Sequence, residues 1–220
     1  MRTDYPEVCE NYLGLVYIIL GIRVGFLWEL HRIEDPAVHC QLASAYMITI
    51  VSGTNRPHAK TRKVADYYQN LLKIQQVESQ ILDLADVPAD FIFSALYDNV
   101  GKNSQFNDLR SLMDHSEKFV FVIPEYNNSF PGVFKAFIDG LSYPNTLIHK
   151  KCALVGISDG VQGNTLGLSH LTDVLNYLGM HVLAQKIRIP FMHKNFVDNE
   201  IKDQLIKQLM EEQVQLLLRF

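Results

Sequence analysis

From Met47 to Phe220 the chain alternates short β-rich runs with longer stretches of helical period, the pattern of a doubly wound α/β domain around a parallel sheet. The run Phe119–Ile123, FVFVI, is apolar on both faces, as a central parallel strand must be. MITIVS reads as the first strand, QILDL as the second, CALVGI as the fourth and His181 to Ile189 as the fifth. Between them, Lys60 to Lys73 places Val64, Tyr67, Tyr68, Leu71 and Leu72 on one helical face. Further helices are expected at about Phe106 to Asp114, Gly132 to Leu141, Thr165 to Leu178 and Asn199 to Leu218. No repeat, low-complexity tract or linker divides this region, so residues 47–220 read as one domain.

The remaining residues, 1–46, do not fit that pattern. Tyr12 to Leu30 is strongly apolar but carries Arg23 and Glu29, which leaves it short of the roughly twenty apolar residues of a spanning helix. Asp4, Glu7 and Glu10 make the leading region acidic, unlike a signal peptide. The expectation is an N-terminal extension lying upstream of a natural start at Met47; an amphipathic helix that contacts a membrane or partner is the alternative. Across the whole chain the net charge of −4, without runs of like charge, gives no footprint for nucleic acid. Cys9, Cys40 and Cys152 are widely spaced and form no CxxC pair, so no disulfide framework or metal site is indicated and a reducing cytoplasm fits.

In an open α/β sheet, ligands sit outside the carboxyl ends of the strands. The first strand runs into SGTNRPHAKT (52–61), whose hydroxyls, Arg56 and helix start suit a phosphate, although an ordinary capped turn would use the same residue types. Neither GxxxxGK[ST] nor GxGxxG is present, which disfavours a Walker loop and a permanently bound dinucleotide. The third strand runs into PEYNNSFPG (124–132), where prolines and glycine stiffen an exposed turn that can aim amide N–H groups, and Tyr126, at a flat polar ring. After the fourth strand comes GISDGVQGN (156–164), with three glycines that permit close backbone approach. Each loop alone is ordinary turn chemistry. Their common edge is the signal.

PEYNNSFPGVFKAFID resembles the P-E-Y-N-x-S-x-P-G-x-L-K-N-x-I-D motif of the NADPH-dependent FMN reductase family almost throughout. SGTNRPHAKT resembles the family's S-G-S-x-R-x-x-S-x-T phosphate loop, with Ala59 where serine is usual, and GISDGVQGN resembles its third flavin loop, with Asn164 where a second glycine is frequent. The resemblance runs from Met47 to the last helix and implies a flavodoxin-like three-layer sandwich, an α/β fold with a five-stranded parallel sheet in the order 2-1-3-4-5. It further implies that Ser52, Thr54, Arg56 and Thr61 hold the FMN phosphate. Pro124, Glu125, Tyr126 and Asn127 would line the isoalloxazine, the last three through their backbone, and Ser158, Gly160 and Gly163 would close the other side.

The expected activity is then NAD(P)H-dependent: hydride passes to bound FMN and onward to a quinone, azo compound, free flavin or similar small acceptor in a ping-pong cycle. Such chemistry resides in the cofactor and requires no side-chain nucleophile and no metal. His58 and Asp159 are the conceivable proton donors, although solvated loop residues of this kind more often have no such role. Family members often assemble as homodimers or homotetramers in which a neighbour covers the flavin. Two other readings compete: a flavodoxin-type electron carrier without NAD(P)H turnover, and a flavin-free interaction protein that kept only the fold.

Overall fold

The computed structural model describes residues 47–220; the expectations for residues 1–46 fall outside the described residues. Five parallel strands, β1 (Ile48–Ser52), β2 (Ser79–Asp83), β3 (Lys118–Pro124), β4 (Lys151–Ile157) and β5 (His181–Ile189), form one sheet in the order β2-β1-β3-β4-β5. The order reverses between β1 and β3, where Ile48 stands opposite Lys118 and Ser52 opposite Val122. The principal helices are α1 (Lys60–Ile74), the short α2 (Phe91–Ser94), α3 (Ser104–Asp114), α4 (Gly132–Asp139) and α5 (Thr165–Tyr177). After β5 come the short α6 (Met192–Asn195), a small antiparallel pair β6 (Phe196–Val197) and β7 (Glu200–Ile201), and the closing helix α7 (Gln204–Arg219).

The two-residue period of β3 sorts its side chains into two cores. Val120 and Val122 join Val64, Tyr68 and Leu72 of α1 and Met210, Val214 and Leu217 of α7. On the opposite face Phe119, Phe121 and Ile123 join Phe106 and Met113 of α3, Phe134 and Phe137 of α4, and Leu168, Leu171 and Leu175 of α5. The sandwich is therefore three-layered, as expected from the sequence. Each fully buried large apolar side chain contributes about 1.5–3 kcal/mol to holding the layers together. No helix among the described residues is long and apolar enough to cross a membrane.

One expected boundary moves. The last helix starts at Gln204 rather than near Asn199, because Asp198 and Asn199 both take positive φ (54° and 60°) and close the β6–β7 hairpin. Asp203 then caps α7, its carboxylate accepting from the Ile206 amide at 3.0 Å.

Candidate functional site

At the carboxyl edge of β1, β3 and β4 the three loops enclose a cavity of about 430 Å³. Its wall contains Thr54, Arg56 and Thr61 from the first loop and helix start, Pro124, Glu125 and Tyr126 from the second, and Ser158 from the third. His58, Lys60 and Asp159 also line it.

The first loop turns where only glycine fits: a Cβ on Gly53 would lie 2.5 Å from Ile123 Cδ1 and 2.9 Å from the Val122 carbonyl oxygen. Thr54, almost wholly buried, shares a 2.8 Å hydrogen bond with the Tyr126 hydroxyl, which ties the first loop to the second. The start of α1 is unusual. Ala59 at the N-cap provides no side-chain acceptor, no acidic residue occupies the first turn, and Lys60, Arg62 and Lys63 place cations beside the positive end of the helix dipole. Arg62 is answered by Asp66 at 3.0 Å and Asp83 at 3.5 Å. Apart from these and Asp159, which pairs with Lys60 from the third loop, this end of the helix lacks the negative charge that normally stabilises it. Thr61 is buried in the cavity wall, and its hydroxyl has no hydrogen-bond partner among the described residues. An anion would satisfy the amides, the hydroxyl and the dipole together.

In the second loop Tyr126 and Ser129 exchange backbone hydrogen bonds of 2.9 and 3.0 Å, and Asn127 and Asn128 turn the corner at φ 50° and 62°. The turn uses amides expected to face a ring: Glu125 N–H donates to the Ile157 carbonyl and Tyr126 N–H to that of Ser129. The Asn127 amide has no such internal partner among the described residues. Glu125 supplies a different handle, for its Oε2 is buried in the cavity wall without a hydrogen-bond partner. A buried acceptor of that kind calls for a ligand N–H.

In the third loop the Ser158 hydroxyl donates to the Gly160 carbonyl and accepts from the Gly163 amide, both at 3.0 Å. Its work is to shape the loop. Gly163, at φ 58°, backs against Arg188 and Ile189, and Asn164 donates its side-chain amide to the Ile123 carbonyl at 3.0 Å. Ser52, Asn127, Gly160 and Gly163 lie outside the cavity wall; Ser52 Oγ is buried without a partner at the end of β1. Met192 enters the wall from α6, a contribution the sequence reading missed. The signal existed, since the chain after β5 leaves from the same carboxyl edge. Cys152 lies buried in β4, where burial pushes its thiol pKa up and leaves it unreactive.

A carboxyl-edge cavity beside the order reversal of a β2-β1-β3-β4-β5 sheet defines a flavodoxin-like protein. Solved structures share that architecture: the NAD(P)H:(acceptor) oxidoreductase FerB from Paracoccus denitrificans superposes with TM-score 0.67 at 21% identity, over 80% of this chain and 96% of that one. An apo NADH:FMN oxidoreductase superposes at 0.68 and 16% identity, over 80% and 89%. The model of the NADPH-dependent FMN reductase family matches residues 46–193, and the chain belongs to that family. Its relatives include an FMN-dependent NADPH-azoreductase of Staphylococcus aureus, 27% identical over 69% of this chain and 79% of that protein. A quinone reductase of Pseudomonas putida is 27% identical over 59% and 68%. The NADH:(hydroxy)cinnamate reductase subunit CrdA of Vibrio ruber is 24% identical over 57% of this chain, which spans 60% of its length.

The residues present fit FMN. The uncapped, cationic start of α1 suits a phosphate, and the orphaned Glu125 carboxylate oxygen suits an N–H such as the flavin's imide edge presents.

Proposed function

We propose that residues 47–220 form an FMN-binding oxidoreductase domain that takes reducing equivalents from NAD(P)H and delivers them to a small acceptor such as a quinone, azo compound or free flavin. The observation that carries this reading is the cavity itself: an anion-seeking helix start and an unpaired buried carboxylate oxygen share one wall, within the segment that the family model matches. Bound FMN would supply the chemistry, accepting hydride from the nicotinamide and passing it to an oxidant that enters in its turn. Arg56, Thr61 and the α1 amides hold the phosphate end. Glu125 orients the ring by accepting an N–H, and Tyr126, pinned by Thr54, flanks it. Ser158, Gly160 and Gly163 keep the third loop in the shape that closes the cavity, and Asn127, outside the wall, turns the second loop that carries Tyr126. No side chain needs to form a covalent bond.

A cytoplasmic location and a homodimer or homotetramer accompany this reading; the assembly is supported by large apolar side chains left open to solvent, Phe93 at 81% and Tyr97 at 78%. The test is a visible absorption spectrum of the full chain incubated with FMN, desalted and mixed anaerobically with NADPH. Flavin bands that persist and then bleach are the expected result. Bands that persist but stay oxidised would point to an electron carrier, and no retained bands would sink the flavoprotein reading.

A further inference from the structure

The phosphate end of the cavity holds a feature that the family resemblance does not assign. Lys60, the first residue of α1, lines the cavity and pairs with Asp159 of the third loop, Nζ to Oδ1 at 3.1 Å. The two residues stand 99 positions apart and both line the wall. Their side chains are 44% and 73% exposed, so the pair is well solvated and holds little free energy. His193 of α6 lies on the same carboxylate, its Nδ1 4.0 Å from Oδ1. Directly before Lys60, Ala59 offers no hydroxyl to cap the helix or to donate to a phosphate.

Resting on the FMN reading above, we propose that Lys60 is the cation that charges this chain's phosphate cradle in place of a hydroxyl at residue 59, and that Asp159 is its resting counterion. A lysine ammonium on a flexible four-carbon stem can leave one anion for another without moving the backbone. A phosphate carries nearly two negative charges at neutral pH and offers three acceptor oxygens. At this position it also meets the unpaired Thr61 hydroxyl and the uncapped α1 amides, which Asp159 does not satisfy. The phosphate is therefore the better partner, and Lys60 transfers to it. Asp159 acts the other way: it holds the ammonium in the absence of phosphate and places a like charge in the cavity wall beside it.

The test titrates the full chain at low salt with FMN and with riboflavin, which lacks the phosphate, following quenching of flavin fluorescence. Lys60→Gln is expected to weaken FMN about tenfold and to leave riboflavin within about twofold. Lys60→Arg should retain most of the native FMN affinity, and Asp159→Asn should tighten FMN about threefold by freeing the ammonium. Adding Ala59→Ser to Lys60→Gln should recover part of the loss while changing little when Lys60 is present. Native FMN affinity in Lys60→Gln, or an equal loss of both flavins, overturns the assignment of Lys60 while leaving the flavoprotein reading in place. A native protein that binds neither flavin overturns both.

Discussion

The two ends of the sheet both gather cations, yet they use them in opposite ways. At the amino end, Lys118 donates to the Leu217 and Leu218 carbonyls at 2.9 and 3.0 Å, Lys150 to those of Met113 and Asp114 at 3.0 and 2.9 Å, and Lys151 to that of Phe220. These lysines close the carboxyl ends of α7 and α3, where the dipole is negative and the last carbonyls lack helical partners. At the carboxyl end, Lys60 and Lys63 sit against the positive start of α1, Lys60 has only an exposed pair, and the Arg56 guanidinium has no partner among the described residues. Glu125 nearby leaves a buried carboxylate oxygen unanswered. One end has spent its charge on the fold; the other holds it against the fold's own interest, which is what a binding site requires.

The sharpest way to break that contrast is to strip each end in turn. The double substitution Arg56→Ala with Thr61→Val should weaken FMN binding about 100-fold, roughly 2.7 kcal/mol, while the thermal midpoint of the ligand-free protein stays within a few degrees. Loss of stability without loss of FMN would place these residues in the same class as the amino-end lysines. Lys118→Met should do the reverse, costing about 2 kcal/mol in urea unfolding as the last carbonyls of α7 lose a buried donor, with FMN affinity unchanged. A smaller effect tests the dipole directly. Lys63→Glu should stabilise the ligand-free chain by about 0.5 kcal/mol at low salt and weaken FMN by a fewfold, because it gives the helix start the negative charge that the ligand otherwise brings. A neutral or destabilising result for the ligand-free chain would remove the argument that α1 is held in an unfavourable state.

The sequence made the sheet nearly readable, and the site only by outline. The apolar runs of β3 and β4 announce buried parallel strands because nothing else tolerates apolar residues on both faces. Asp198 and Asn199 hid a hairpin, since their left-handed backbone is a property of a turn that short polar residues permit but do not demand. The Asp203 cap was the better marker of where α7 begins. At the site, loop sequence located the carboxyl edge but not the division of labour within it. Ser158 and Gly163 carry motif positions, yet they bond to each other and shape the loop. Glu125 was expected to act through its backbone, and it is the side-chain oxygen that lacks a partner. The pairing of Lys60 with Asp159 spans 99 positions, and no local pattern encodes it.

The smallest expected effect concerns pH, and it separates hydrogen bonding from ion pairing at the amino end. Burial lowers the Lys118 pKa below the ordinary lysine value of 10.5, with the charge of Lys151 adding to the same direction. Burial lowers that of Lys150 as well, against the pull of Glu117 and Asp114. Between the depressed folded value and 10.5 the unfolded chain binds more protons than the folded one, so the contribution of these groups to stability rises with pH across that window. The cost of burying a charged amine, present at neutral pH, is relieved as the amine deprotonates, and the neutral amine still donates to the carbonyls of α7. Urea midpoints of the native chain and of Lys118→Met, compared at pH 8 and pH 10, should therefore diverge in favour of the native chain as pH rises, with alkaline effects on the rest of the protein common to both. A gap that narrows instead would mean that the charge of Lys118, more than its hydrogen bonds, closes the helix. The amino end would then be an electrostatic device like the cavity rim, and the contrast between the two ends would rest on occupancy alone.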